Sequence, residues 1–480
     1  MEEHTPQSVL QHYFGFDSFR GLQTEVITRL IEEKKHCLVL MPTGSGKSLC
    51  FQIPALLFPG KTIVISPLIA LMQDQVNNLK ARNIPAAFIN STVSRMQREK
   101  RLHDFLYGNI KMLYVTPERF KRQEFAVQIR RVNLSLLAVD EAHCISTWGH
   151  DFRPDYSRIH EIREMLGNPL TIALTATATT EVQHDIIEKL GITPDKIKVF
   201  HQGITRPNLR LEAIEVMDDN QKLENIVNTI KETDGSGIVY FSLIKILERF
   251  SDLLQQKQIP HLIYHGKLDA GGRKQILNQF MSGSLPVLAT NAFGMGVDKA
   301  DIRYVLHAEI PGSIESYYQE IGRAGRDGKN SVCRLLYNQD DLLTHMEFIK
   351  WSNPEPEFYK KLYQLCETNI KNINSLGLDY MRDQLVFKNR FDFRLETALG
   401  MLELHGAASG HPETGNLKIT GPLPDSLVDQ GRHDEKILAD RKKLLAVVNY
   451  FKTEECRRQY IEEYFGFKDE PACGNCDVCG

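Results

Sequence analysis

From residue 37 to residue 175, short apolar runs rich in β-branched residues alternate with longer stretches of helical period: Cys37-Leu-Val-Leu-Met, Thr62-Ile-Val-Ile-Ser, Met112-Leu-Tyr-Val and Leu136-Leu-Ala-Val-Asp. Apolar runs of this length without alternation suit strands buried on both faces, and the intervening helices supply the crossovers that parallel strands need. This pattern predicts a doubly wound α/β domain. A second set predicts another: Gly237-Ile-Val-Tyr-Phe-Ser, His261-Leu-Ile-Tyr, Pro286-Val-Leu-Ala-Thr, Arg303-Tyr-Val-Leu-His and Val332-Cys-Arg-Leu-Leu-Tyr. Between the two sets, around Gln202 to Asn220, Arg206-Pro-Asn and Asp218-Asp-Asn suit a linker or hinge. After Asp340 the strand pattern stops. Leu395, Ala398, Leu399 and Leu402 share one helical face that ends near Gly406, and two short strands on either side of His411-Pro-Glu-Thr-Gly follow. A helix followed by a small hairpin outlines a winged-helix module; a plain helical insert is the alternative.

Composition narrows the class without choosing a function. Hydrophobic residues make up 42% and charged residues 25%, the balance of a soluble globular chain. No stretch reaches the roughly 18 consecutive apolar residues that a membrane-spanning helix needs. The opening Met1-Glu-Glu-His-Thr-Pro carries two acids and no apolar core, so it reads as neither a secretory signal nor a transit peptide, and a cytoplasmic location is the expectation. The net charge of -3 is uninformative about nucleic acid, because a local basic groove can bind phosphates beneath an acidic outer surface. Of nine cysteines, Cys37, Cys50, Cys144, Cys333 and Cys366 are scattered singly and read as buried thiols. Cys456, Cys473, Cys476 and Cys479 gather at the C-terminal end, where clustering favours a metal over disulfides.

Met41-Pro-Thr43-Gly44-Ser45-Gly46-Lys47-Ser48 follows a predicted strand and opens a predicted helix, the context that a phosphate loop requires. Backbone N–H groups freed by Gly44 and Gly46 can surround phosphates, Lys47 can reach the β and γ oxygens, and the Ser48 hydroxyl can bind Mg²⁺. Met41 stands where the strict signature has glycine. Further on, the apolar strand Leu136-Leu-Ala-Val ends in Asp140-Glu141-Ala142-His143. Acids at the carboxyl end of a parallel strand project into the ligand crevice, where Asp140 can hold the metal and Glu141 can orient and deprotonate the attacking water. Taken alone, the same pair also reads as a solvated acidic strand end.

Asp140-Glu141-Ala142-His143 is followed by Cys144-Ile-Ser-Thr-Trp148-Gly-His-Asp-Phe152-Arg153-Pro154, which resembles the aromatic-rich loop of the RecQ helicases. Phe14-Gly-Phe16-Asp-Ser-Phe-Arg20-Gly-Leu-Gln23, Ser66-Pro-Leu-Ile-Ala-Leu-Met-Gln-Asp-Gln75, Leu174-Thr-Ala-Thr-Ala178, Ala292-Phe-Gly-Met-Gly-Val-Asp-Lys299 and Tyr317-Tyr-Gln-Glu-Ile-Gly-Arg323-Ala-Gly-Arg326-Asp-Gly328 resemble the same family, so the likeness spans almost the whole chain. It implies two RecA-like parallel-sheet domains, residues 1–205 and 206–343, then a helical or winged-helix-like insert over 344–440 and a zinc-binding domain over 441–480. It also implies an ATP- and Mg²⁺-dependent DNA helicase moving 3′-to-5′ on single strands and unwinding duplex DNA in recombination or repair, at the nucleoid if the source is bacterial. A DNA-dependent ATPase that remodels or anneals without unwinding is the alternative.

Individual residues acquire expected roles. Phe16 offers a face to adenine, and Arg20 and Gln23 offer hydrogen-bonding groups to the base edge. Arg323 and Arg326, three apart on an expected helix, share one face, and by resemblance reach the γ-phosphate, where a rigid guanidinium fork stabilises transition-state charge. Trp148, Phe152 and Arg153 can stack on unpaired bases and report DNA to the ATP site, or the two rings are ordinary core. Ser66, Thr116, Arg119 and Thr290 are expected on DNA phosphates. Cys456 with Cys473-Gly-Asn-Cys476-Asp-Val-Cys479 suits a tetrahedral, structural Zn²⁺, with a redox pair or a strained disulfide as the alternative. The family usually continues into a winged-helix domain, sometimes an HRDC domain, and the insert is expected to substitute in part.

Overall fold

The computed structural model describes residues 5–90, 93–146, 154–203, 205–294, 297–385, 392–467 and 471–480. The chain forms two compact units, one of Met1–Tyr337 with Tyr450–Gly480 and one of Asn338–Asn449.

In the first unit, β1 (His36–Leu40), β2 (Lys61–Ile65), β3 (Ala86–Ile89), β4 (Met112–Val115), β5 (Leu134–Val139), β6 (Thr171–Thr175) and β7 (Ile197–His201) form a sheet in the order β3-β4-β2-β5-β6-β1-β7. Every pairing among them is parallel. The unbroken apolar runs have the burial that they predict. Leu38, Leu40, Ile63 and Ile65 pack into one core layer, and their neighbours Cys37, Val39 and Val64 pack into the layer on the opposite face. A second parallel sheet comprises β8 (Leu209–Glu215), β9 (Ser236–Tyr240), β10 (Leu262–Tyr264), β11 (Val287–Ala289), β12 (Ile302–His307) and β13 (Ser331–Tyr337), in the order β10-β11-β9-β12-β13-β8.

The expected linker is only partly one. Leu209–Glu215 within it is a strand, paired with all of β13. Its buried residues Leu209 and Leu211 alternate with the half-buried Arg210 and Glu212, which form ion pairs with each other and, through Glu212, with Arg334. Alternation of this kind marks an edge strand, and a search for continuous apolar runs passes over it. The cysteine-rich tail covers β8. Leu211 and Cys476 form a parallel bridge, Asp477 N–H donates to Leu211 O at 3.0 Å, and Ala213 N–H donates to Asp477 Oδ2 at 2.9 Å. β3 and β7, which are likewise outside the quoted apolar runs, also lie at sheet edges.

The second unit is helical, with Asp341–Ser352, Pro356–Gln384 interrupted at Asn369 and Gly377, Arg394–Leu404 and most of Gln430–Lys452. Leu395, Ala398, Leu399 and Leu402 are buried on one face, and Gly406 follows in the left-handed region at φ 72°. β14 (Ala408–Ser409) and β15 (Lys418–Ile419) pair antiparallel around His411-Pro-Glu-Thr-Gly, a hairpin on a helical scaffold.

Close packing in the second sheet sets a stability test. Gly237 in β9 faces the Tyr304 ring so closely that an added Cβ would lie 2.1 Å from it, and Tyr304 is buried. Gly237→Ala is expected to destabilise the fold by about 1–3 kcal/mol, the usual cost of overpacking. A thermal melt unchanged from wild type would show that the ring moves aside freely.

Candidate nucleotide site and metal centre

β1 ends at Leu40, and the loop from Met41 to Ser48 leads into the helix Leu49–Leu57. Met41 is buried and its N–H donates to Thr175 O at the end of β6, which fixes the start of the loop. Gly44 and Gly46 have φ of 81° and 82°, a region that L side chains rarely adopt. Room is short as well, since a Cβ on Gly46 would lie 2.6 Å from Gln23 Nε2. Ser45 Oγ donates to Pro42 O at 2.6 Å, closing the loop on itself.

Gln23 is buried, with Nε2 donating to Ser45 O and Gly46 O, both at 3.2 Å, and Oε1 accepting from Arg20 N–H at 2.9 Å. Its amide thus braces the phosphate loop. Phe16 is exposed beside the loop, with the Arg20 guanidinium 5.9 Å from its ring centre.

Phe16, Thr43, Lys47, Ser48, Asp140 and Glu141 line a cavity of about 410 Å³, closed on its other side by Arg323 and Arg326. Asp140 is buried at the end of β5, where burial and the adjacent Glu141 carboxylate push its pKa up to about 7. Two acids crowded into low dielectric favour a bound cation. Glu141 takes the left-handed conformation, φ 49° and ψ 49°, and its N–H donates to Asp140 Oδ1 at 3.0 Å. Non-glycine residues there cost about 1–3 kcal/mol and cluster at functional sites. His143 Nδ1 lies 3.3 Å from Glu141 Oε2 and 2.9 Å from Thr175 Oγ1, which accepts from Thr177 N–H at 3.2 Å. The acids are therefore joined to the end of β6.

The two arginines do not share the helical face expected of them. The helix Ile314–Ile321 stops before them, capped at Gly322, so Arg323 and Arg326 lie in the following turns rather than on one helical face. Gly325 sits between them at φ 56°, where a side chain would strike Asn208 and Lys329 O. Both guanidinium groups still reach the cavity. Arg323 donates to Gly294 O, Arg326 pairs with Asp298 at 2.6 Å, and the Nε atom of each is buried without a hydrogen-bond partner among the described residues.

Ser66, Thr116 and Thr290 follow β2, β4 and β11, at the same carboxyl ends of the strands as the cavity. The Arg119 guanidinium lies 5.4 Å from the Phe125 ring centre, and burial lowers its pKa. Trp148, Phe152 and Arg153 lie outside the described residues. Arg206 escaped the sequence reading as part of a linker. Its guanidinium donates to Thr43 O, Gly322 O, Ala324 O and Gly325 O, and backbone acceptors leave no mark in a sequence.

The sulfurs of Cys456, Cys473, Cys476 and Cys479 all lie within 4.8 Å of one another, and none of the nine cysteines is in a disulfide. Cys479 Sγ is 3.5 Å from Cys473 Sγ, 3.3 Å from Cys476 Sγ and 3.7 Å from Cys456 Sγ. A zinc tetrahedron with Zn–S of about 2.3 Å has edges of about 3.8 Å, so the set fits the ion. Backbone N–H groups of Cys473 and Asn475 point at Cys456 Sγ and Cys473 Sγ, as donors to thiolates should.

Residues 20–186 match the DEAD/DEAH box helicase family, residues 219–328 the helicase conserved C-terminal domain and residues 425–480 the RecQ zinc-binding family. The chain is 38% identical over 478 residues to ATP-dependent DNA helicase RecQ of Bacillus subtilis, covering 99% of this chain and 67% of that protein. It is 33% identical over 495 residues to ATP-dependent DNA helicase RecQ of Synechocystis, covering 98% of each. Among solved structures, helicase Lhr of Mycobacterium smegmatis bound to ssDNA and AMP-PNP superposes with a TM-score of 0.55 at 19% identity, over 89% of this chain and 60% of that one, a likeness of fold. No helix among the described residues is long and apolar enough to cross a membrane.

The cysteine site is a structural zinc site, closed by four protein ligands. Cys476→Ser is therefore expected to lower bound zinc and the melting temperature together, with ATPase activity falling in step with folded protein. Elemental analysis that finds the variant with its full zinc content would remove Cys476 from the site.

Proposed function

The chain belongs to the RecQ family of ATP-dependent DNA helicases, and from that premise we propose that its cavity hydrolyses ATP with Mg²⁺ to drive 3′-to-5′ movement on single-stranded DNA and the separation of duplex DNA. The observation that supports this is the convergence of Lys47, Asp140 and Glu141 with Arg323 and Arg326 on one cavity. Lys47 binds the β and γ phosphate oxygens, and Ser48 and Asp140 hold Mg²⁺. The ion, when bound, offsets charge on the phosphates and on the crowded acids. Glu141 orients water and takes its proton, while Arg323 and Arg326 supply positive charge to the transferring group. Phe16 packs against the base, with Arg20 and Gln23 at its edge. Trp148, Phe152 and Arg153 stack on unpaired bases, and Ser66, Thr116, Arg119 and Thr290 contact the DNA backbone. The family's work in recombination or repair, at the nucleoid in the cytoplasm of a bacterium, belongs to the same reading.

Binding and chemistry should separate. Lys47→Ala is expected to weaken nucleotide binding and abolish turnover, whereas Glu141→Gln keeps nucleotide and Mg²⁺ binding and loses about 10²-fold or more of the rate. Retention of more than about a tenth of the wild-type rate by Glu141→Gln would deny it the role of base. Strand displacement from a 3′-tailed duplex, absent with a 5′-tailed one, tests the direction of movement.

DNA sensing has its own signature. Trp148→Ala and Phe152→Ala should keep ATP binding and basal hydrolysis and lose both stimulation by single-stranded DNA and unwinding. Core rings would behave otherwise, costing about 3–5 kcal/mol of stability and depressing every activity together. Thermal melts beside ATPase titrations, without DNA and at saturation, decide between the two.

A further inference from the structure

We propose that Arg206 is a positioning residue for ATP hydrolysis, holding the phosphate loop and the arginine-bearing turns at a fixed spacing while the zinc-bearing tail holds Arg206 in place. The inference rests on the reading that Arg323 and Arg326 act on the phosphates. The guanidinium reaches Thr43 O at 3.3 Å on the phosphate loop, Gly322 O at 3.4 Å, and Ala324 O and Gly325 O both at 2.8 Å, in the turns that carry Arg323 and Arg326. A planar fork with several fixed donors can serve four carbonyls at once, which an ammonium on a flexible stem cannot. Asn208, two residues on, donates to Gly325 O at 2.8 Å and Lys329 O at 2.9 Å, gripping the same turns.

The backbone bearing these side chains is itself held. Arg458, in the helix Arg457–Tyr464 beside the cysteine cluster, donates to Arg206 O at 3.2 Å and Leu209 O at 3.1 Å, and Asn475, between two zinc ligands, donates to Pro207 O at 3.0 Å. The helix Ile314–Ile321 that precedes the turns is held from the same side, with Tyr317 and Tyr450 hydroxyls 3.1 Å apart and Tyr318 and Phe465 ring centres 5.5 Å apart. Each sheet has its own core, so the bond to Thr43 is not needed for either to fold. What it sets is the distance between Lys47 on one side of the cavity and Arg326 on the other. A displacement of about 1 Å there can cost about 10²-fold in rate.

The test measures kcat and KM for ATP at saturating single-stranded DNA, with thermal melts, zinc content and affinity for a fluorescent ADP analogue. Arg206→Ala is expected to lower kcat by about 10- to 100-fold with ADP affinity, zinc and melting temperature unchanged. Arg206→Lys should be as slow, since it keeps the charge and loses the fork, and Arg206→Ala/Arg326→Ala should be no slower than Arg326→Ala. Full rate in Arg206→Lys, or additive losses in the double variant, overturns the positioning role. If Arg206→Ala folds poorly, Arg206→Gln replaces it, and a loss of kcat that tracks melting temperature in both also overturns it. The two failures are distinguishable: kcat of Arg206→Ala within about twofold of wild type while Arg326→Ala is inactive removes Arg206 alone, whereas Arg326→Ala at the wild-type rate removes the reading of the arginine pair and the positioning role with it.

Discussion

A parallel strand covered on both faces has little place for a charged side chain along its length, because neither face offers water, and one that occurs needs a counter-ion beside it, as Arg334 in β13 has in Glu212. Chemistry is therefore confined to the strand ends, and parallel pairing brings those ends to one side of each sheet. Met41 to Ser48 follow β1, Asp140 and Glu141 follow β5, Thr175 closes β6 and Thr290 follows β11. The site is in this sense a consequence of the burial that makes the strands so apolar.

The cavity then divides opposed charges between its walls. Asp140 and Glu141 crowd one wall, and burial with mutual repulsion holds the pKa of Asp140 at about 7. Arg323 and Arg326 stand on the other, where burial lowers the pKa of Arg326 despite its pair with Asp298. Neither wall is electrostatically comfortable alone. A polyphosphate carrying a divalent cation complements both, its negative oxygens facing the arginines and its metal facing the acids.

Much of this was legible because it is local. A phosphate loop, an acidic strand end and a cluster of cysteines are short strings whose chemistry does not depend on distant neighbours. Interior strands were legible for the same reason, while β3, β7 and β8 lie at sheet edges, where the apolar pattern is shorter or mixed with polar positions, and were not. Gly322 and Gly325 could have signalled that Arg323 and Arg326 lie beyond a helix end, since glycine there commonly terminates one. Arg206 was beyond reach. Its partners are backbone carbonyls far away in sequence, and a tripeptide that reads as a hinge gives no sign of what the hinge grips.

The bridge between Leu211 and Cys476 gives the metal centre a second consequence. β8 is the last strand of its sheet, and its outward N–H and C=O groups would otherwise offer a template to any extended chain that met them. Asp477 occupies Leu211 O and Ala213 N–H, and it is held there by Arg457 and by the cysteine turn around the ion. Loss of zinc would free the turn that covers this edge, and an uncovered edge strand is the kind of surface on which extended chains pair.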